Sequence, residues 1–169
     1  ARERLIKALS APEASDSDRA LVHEFELAKR EAEGSGEFIR GSSRFALTAV
    51  GDLNTYALFS EHFLRLIGLG GRSGVIVPTG IATDNSTKAF FDEISSQGRL
   101  ASLYDFENRD AIFSGVHRSY KFALVTLGYG VESTDFVFFA TATQQLADER
   151  RHFTLSVDDI ALINPNTRT

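Results

Sequence analysis

Three carboxylates, Asp105, Glu107 and Asp110, cluster at the end of an apolar run from Leu100 to Phe106. Strand ends are where α/β proteins place their ligands, and paired carboxylates there could carry protons to and from a substrate. No histidine or nucleophile keeps a fixed spacing to them, so the plainer reading is a solvated acidic loop. Gly68, Gly70, Gly71 and Gly74 invite a phosphate-cradling loop. They follow a helix and precede a strand, whereas phosphate needs the amide-rich start of a helix, and their spacing misses G-x-G-x-x-G. We read them as a helix-ending turn. Phe113 stands in a polar stretch from Asn108 to Arg118. An aromatic there either plugs back onto a sheet or offers a stacking face to a base, and both readings stay open. Asn164-Pro165-Asn166 reads as a turn. The chain has no cysteine, and His23, His62, His117 and His152 show no ligand spacing, so neither disulfides nor a metal site is expected.

Composition narrows the class. At 169 residues, 43% hydrophobic and 24% charged, the chain has the make-up of one globular domain with a full core. Its apolar runs, such as VIV and FVFFA, fall far short of the roughly 20 residues a membrane span needs. The opening ARERLIKAL is an amphipathic charged helix without the apolar stretch of a secretory signal, and we expect a cytoplasmic protein with no membrane partner. A net charge of −5 argues against a free-standing nucleic-acid binder, though not against a piece of a larger DNA enzyme.

The positioning elements follow from periodicity. Leu5, Ile6 and Leu9 predict a helix over 1–10, ended by Pro12. Leu21, Val22, Phe25, Ala28 and Ala32 predict a second helix, started in the polar run 15–18 and closed by Gly34. Residues 34–51 should be a loop. A helix from Asp52 to Gly68 is apolar round most of its circumference and should be largely buried. Val75-Ile76-Val77 is a short apolar strand of the interior type. Asp84 should cap a helix carrying Phe90, Phe91 and Ile94, and Leu100 to Phe106 the next strand, giving one βαβ unit. Tyr120 to Tyr129 alternates, and no helix separates it from the previous strand, so that pair should be antiparallel. Asp135 to Ala142 predicts another strand, His152 to Leu155 a short one, and Val157 to Ile163 a helical turn or two.

These residues carry a resemblance. Asp52-Leu53-Asn54-Thr55-Tyr56-Ala57-Leu58-Phe59, the turn Gly70-Gly71-Arg72 and the strand Val75-Ile76-Val77-Pro78 are similar to the helix-to-strand motifs of adenine-specific DNA methyltransferases, in particular the methylase polypeptides of type II restriction–modification systems. Leu103-Tyr104-Asp105-Phe106-Glu107-Asn108, then Ile112-Phe113, then Tyr120-Lys121-Phe122-Ala123-Leu124 resemble that family's closing hairpin. The tail from Ala161 to Thr169 resembles the lead toward its target-recognition region.

The resemblance implies a fold: α/β, the second half of a Rossmann-like S-adenosylmethionine-dependent methyltransferase sheet with a terminal antiparallel hairpin. Residues 1–50 would be a helical lead-in, 51–129 the C-terminal half of the methyltransferase domain, and 130–169 an extension toward target recognition. It also implies a chemistry: methyl transfer from S-adenosylmethionine to an adenine flipped out of double-stranded DNA. The family's Asn-Pro-Pro-aromatic tetrapeptide is not in this chain; Asn164-Pro165-Asn166 has one proline and no aromatic, so no catalytic residue is assigned. Phe59 matches an aromatic lining the cofactor adenine. Phe113 matches the aromatic that packs on the flipped base, with Ser114 where many relatives have proline. The chain lacks Met and opens at Ala1 inside a helical pattern, so an excised piece, inactive alone, is the expectation. Its Val75–Val77 edge should then recruit a second copy or residues 1–50. A non-catalytic α/β scaffold is the alternative, and half of a methyltransferase for a small molecule or protein is a third reading.

Overall fold

The computed structural model describes residues 2–163, in two units, Ala1–Ser43 and Arg44–Thr169. The reading of Asn164-Pro165-Asn166 and of the tail to Thr169 lies outside the described residues.

The first unit is two helices, α1 (Arg2–Leu9) and α2 (Asp16–Gly41). Ser15 starts α2 through a capping box: its hydroxyl accepts from the Asp18 amide, and the Asp18 carboxylate accepts from the Ser15 amide, both at 3.1 Å. Leu5, Ile6 and Leu9 face Leu21, Val22 and Phe25 across an apolar groove. Nothing described in either helix is buried. Contrary to the sequence reading, Gly34 does not end α2. A glycine inside a helix costs only about 1 kcal/mol relative to alanine, and Glu37, Phe38, Ile39 and Arg40 carry the helix on. The chain turns where Ser42 donates its amide to the Phe38 carbonyl and Ser43 takes a φ of 58°.

The second unit is a five-stranded sheet with helices packed mainly on one face. It contains α3 (Thr55–Leu66), β1 (Ser73–Pro78), α4 (Gly80–Thr83), α5 (Lys88–Ser96), β2 (Leu100–Glu107), β3 (Lys121–Leu127), β4 (Ser133–Ala140), β5 (Phe153–Ser156) and α6 (Val157–Ile163). The strand order is β1-β3-β2-β4-β5. β3 runs antiparallel between β1 and β2, from Ser73 opposite Leu127 to Pro78 opposite Phe122 on one side and from Leu100 to Glu107 on the other. β4 lies parallel to β2, and β5 closes antiparallel on β4. The architecture is therefore α/β, a partial Rossmann-like sheet finished by an antiparallel hairpin.

The alternation in β3 explains the two-sided sheet. Ala123, Val125 and Leu127 join Leu64, Ile81, Phe90, Ile94, Leu103, Phe136 and Ile160 in the main core. Phe122 and Leu124 point the other way, toward a smaller cluster around Phe106, Val137 and Ala140. The short β3–β4 connection must cross the start of β2, and Gly98 permits it. Gly98 has a φ of 58°, and a Cβ there would stand 2.8 Å from the Val131 carbonyl. The Val131 amide donates to Gly98 O at 3.0 Å, and the Gly128 amide to Arg99 O at 2.8 Å. Arg99 locks the crossing with bonds to the Gly128 and Leu64 carbonyls and a guanidinium 3.6 Å over the Tyr129 ring.

Two expectations for this unit change. α3 is not largely buried: Ala57, Leu58 and Leu64 face the core, while Phe59, Phe63 and Leu66 stay exposed. Asp84 makes no side-chain cap; a short turn at 85–87 intervenes before α5. β1 has a strand on one side alone among the described residues, and its Ile76 side chain is exposed.

Candidate functional site

The parallel strands β1, β2 and β4 end at the same edge of the sheet, the edge at which doubly wound sheets bind ligands. What gathers there is a buried polar scaffold with aromatics around it. Contrary to the expectation of a solvated acidic loop, Asp105 is nearly inaccessible. Its Oδ1 accepts from the Thr79 hydroxyl at 2.8 Å, and its Oδ2 from the Phe139 amide at 3.4 Å, so it ties the ends of β1 and β4 to β2. Glu107 pairs with Arg109 at 3.0 Å, and Asp110 is exposed. The three carboxylates face different partners and form no acid–base pair.

Asn108 organises the loop after β2, and sequence reasoning missed it. It is wholly buried. Its amide nitrogen donates to the Phe113 and Val116 carbonyls, each at 2.9 Å, and its Oδ1 accepts from the Phe113 amide at 2.9 Å. Its backbone amide reaches Tyr120 O at 2.8 Å. Both peptide groups of Phe113 are thereby fixed by one side chain. The only signal was an asparagine at a strand end, a residue suited to turns, and it looked like the rest of a polar loop.

Phe113 packs back on the sheet and keeps part of its ring exposed. One edge of its ring packs on Phe122, centroids 5.0 Å apart and planes at 74°, and Phe122 in turn stacks on Phe106. The rest of the ring is 39% exposed, in a loop held rigid by Asn108.

Phe59 lies elsewhere, on the outer side of α3. It is 57% exposed, contacts Phe63 at 6.1 Å, and lines an open groove of about 290 Å³ with Tyr56, Phe63, Val75 and Val77. Burial, reinforced by the Asp84 charge, raises the Tyr56 hydroxyl above its ordinary pKa. No ring contact joins Phe59 to Phe113 among the described residues.

Two further polar clusters hold the unit. Glu61 on α3, completely buried, accepts from the Leu47 amide (3.2 Å), the Thr48 amide (3.0 Å) and the Thr48 hydroxyl (2.7 Å), and pairs with Arg65 at 2.6 Å. On the opposite side of the sheet, Asp135 Oδ2 accepts from the Tyr104 hydroxyl at 2.7 Å and faces His152 Nδ1 at 2.8 Å. His152 Nε2 faces the Leu146 carbonyl at 2.9 Å. Both ring nitrogens meet acceptors, so the imidazolium is the form that satisfies them. The Asp135 bond, then that of Leu146, raises the His152 pKa. Burial, then the bond to Asp135, raises that of Tyr104. Among the described residues no group of histidine and carboxylate side chains could hold a metal ion, and no helix is long and apolar enough to cross a membrane.

No family model and no curated protein matches this chain. Solved structures do. A type I restriction–modification system methyltransferase subunit from Streptococcus thermophilus superposes with a TM-score of 0.56 at 12% identity, over 79% of this chain and 33% of that one. The type IIG restriction endonuclease BpuSI matches with a TM-score of 0.42 at 24% identity, over 54% of this chain and 11% of its own. The chain spans about a third of the length of the methyltransferase subunit, and it shares the fold of that part of it.

Proposed function

We propose that this chain is the C-terminal part of the methyltransferase domain of an adenine-specific DNA methyltransferase from a restriction–modification system of type II. The observation that carries the reading is the sheet: β3 inserted antiparallel between β1 and β2, with β1 open on its other side, in a fold shared with a methyltransferase subunit. S-adenosylmethionine would supply an electrophilic methyl group. The residues present fit it in part: Phe59 offers an exposed ring beside an open groove, one wall for a planar base. Phe113, braced by Asn108, offers a ring to an adenine drawn out of the duplex. Double-stranded DNA is the partner of the longer protein, which we place in the cytoplasm. Residues 1–169 alone neither bind the cofactor nor methylate, and the β1 edge pairs with another strand, a second copy included.

The full-length gene product is to be assayed for methyl transfer to adenine N6 in duplex DNA, and residues 1–169 titrated calorimetrically with S-adenosylmethionine. The reading expects transfer by the first and no heat from the second. Micromolar binding by residues 1–169 contradicts the half-domain assignment, and a full-length protein that methylates no adenine contradicts the substrate.

A further inference from the structure

The edge where β1, β2 and β4 end carries one more aromatic, Phe139, and its conformation is unusual. Opposite Tyr104 and Phe106 on β2 stand Val137 and Ala140 on β4, so Asp105 alone faces both Phe138 and Phe139. This is a bulge, one residue against two. Phe139 takes a φ of 58°, in the left-handed region that a bulky side chain rarely enters. In a regular strand, position 139 would sit opposite Phe106, inside the smaller core cluster. The bulge puts the small Ala140 there, fully buried, and turns the phenyl ring out to 75% exposure. An aromatic side chain is kept out of the core at the expense of backbone strain. Bulges that aim a side chain outward are frequent beside binding sites.

Its surroundings indicate what the ring is aimed at. The Phe139 amide is held by the buried Asp105 carboxylate, so the strained residue has a fixed anchor. The Lys121 ammonium lies 6.0 Å from the ring centroid. Lys121 is exposed and has no ion-pair partner among the described residues. An exposed ring with an ammonium beside it matches the two chemistries of one nucleotide, a flat base and a charged phosphate.

We propose that Phe139 and Lys121 form a stacking site for an unpaired nucleotide, the ring taking the base and the ammonium its phosphate. The proposal rests on the nucleic-acid part of the reading above and adds a contact distinct from Phe113.

The test uses the 169-residue chain and a single-stranded oligothymidylate at low salt. Phe139→Ala should weaken binding about tenfold, within the range for loss of one base–aromatic stack. Phe139→Gly should weaken it equally, and since glycine accepts the positive φ without strain, its thermal midpoint should not fall below that of Phe139→Ala. The chain has no tryptophan, so F139W places a single emitter at the site, and oligonucleotide should quench it saturably. Leu69→Trp, at a 91% exposed position in the turn before β1, should not be quenched. Lys121→Gln should lower the slope of log affinity against log salt by about one. Equal binding by the unaltered chain and Phe139→Gly, with F139W unquenched, overturns the proposal and leaves the methyltransferase reading standing. Absence of oligonucleotide binding by the unaltered chain overturns it as well. Quenching of F139W beside a full-length protein that methylates no adenine would keep the stacking site and remove the assigned reaction.

Discussion

Glu61 and His152 are both held by hydrogen bonds to distant parts of the chain, yet the two anchors work under different conditions. Around Glu61 every partner is a donor: two amides, a hydroxyl and a guanidinium converge on a carboxylate that sees no solvent. Around His152 the partners are acceptors, a carboxylate and a carbonyl, and both His152 and Asp135 remain partly open to water. Asp135 Oδ1 is itself buried with no partner among the described residues. Full burial makes the Glu61 anchor costly to break. Partial exposure makes the His152 anchor weak but sensitive to protonation.

The largest effect should follow Glu61→Ala, which strands the Leu47 and Thr48 amides and frees residues 44–50 from α3. A loss of about 3–5 kcal/mol is expected for breaking a buried charged cluster of this kind, read as a lower denaturation midpoint. Glu61→Gln, which keeps the size but loses acceptor capacity, should fall between. Little change with either variant would mean that the anchor is solvated and the contrast with His152 is void.

Asn108→Ala should cost about 2–4 kcal/mol, since three buried hydrogen bonds lose one partner each. The same variant sharpens the comparison, because hydrogen exchange at the Phe113 amide should accelerate while exchange in β1 stays slow. Phe113→Ala should cost less, about 1–2 kcal/mol, because its ring is only partly buried where a fully buried phenylalanine loses about 3–5 kcal/mol. In the full-length protein it should lower adenine methylation far more than stability. If the midpoint falls steeply and activity per folded molecule holds, Phe113 is a core plug and nothing more.

His152→Gln should show the smallest effect and a pH dependence opposite to that of a carboxylate anchor. The folded protein raises the His152 pKa, so its stabilisation is complete below the unfolded value near 6.5 and fades as pH rises through the higher folded value. The midpoint difference between His152→Gln and the starting chain should therefore be greatest in mild acid and shrink toward alkaline pH. A difference constant from pH 5 to 9 would show that the imidazole acts without its charge.

How far the sequence could be read varies along the molecule for physical reasons. β3 was legible because strict alternation from Lys121 to Leu127 is a local signal, and its antiparallel pairing with β2 followed from the absence of a helix between them. The end of α2 was not legible, because a helix-breaking glycine competes with neighbours that favour continuing, and the balance is under a kilocalorie or so. Phe113 was recognisable as an aromatic in a polar loop. Asn108, which holds it, was not, since a buried asparagine and a solvated one are spelled alike.

Near-neighbour periodicity sufficed for the strands, for most of the helical segments and for the antiparallel sense of β3. Which polar groups are buried depends on contacts between distant segments. Thr48 meets Glu61 across thirteen residues and Thr79 meets Asp105 across twenty-six, and no periodicity records such pairs. The exposure of Phe139 is of the same kind. It follows from a register shift between β2 and β4, a property of two strands together that neither carries alone.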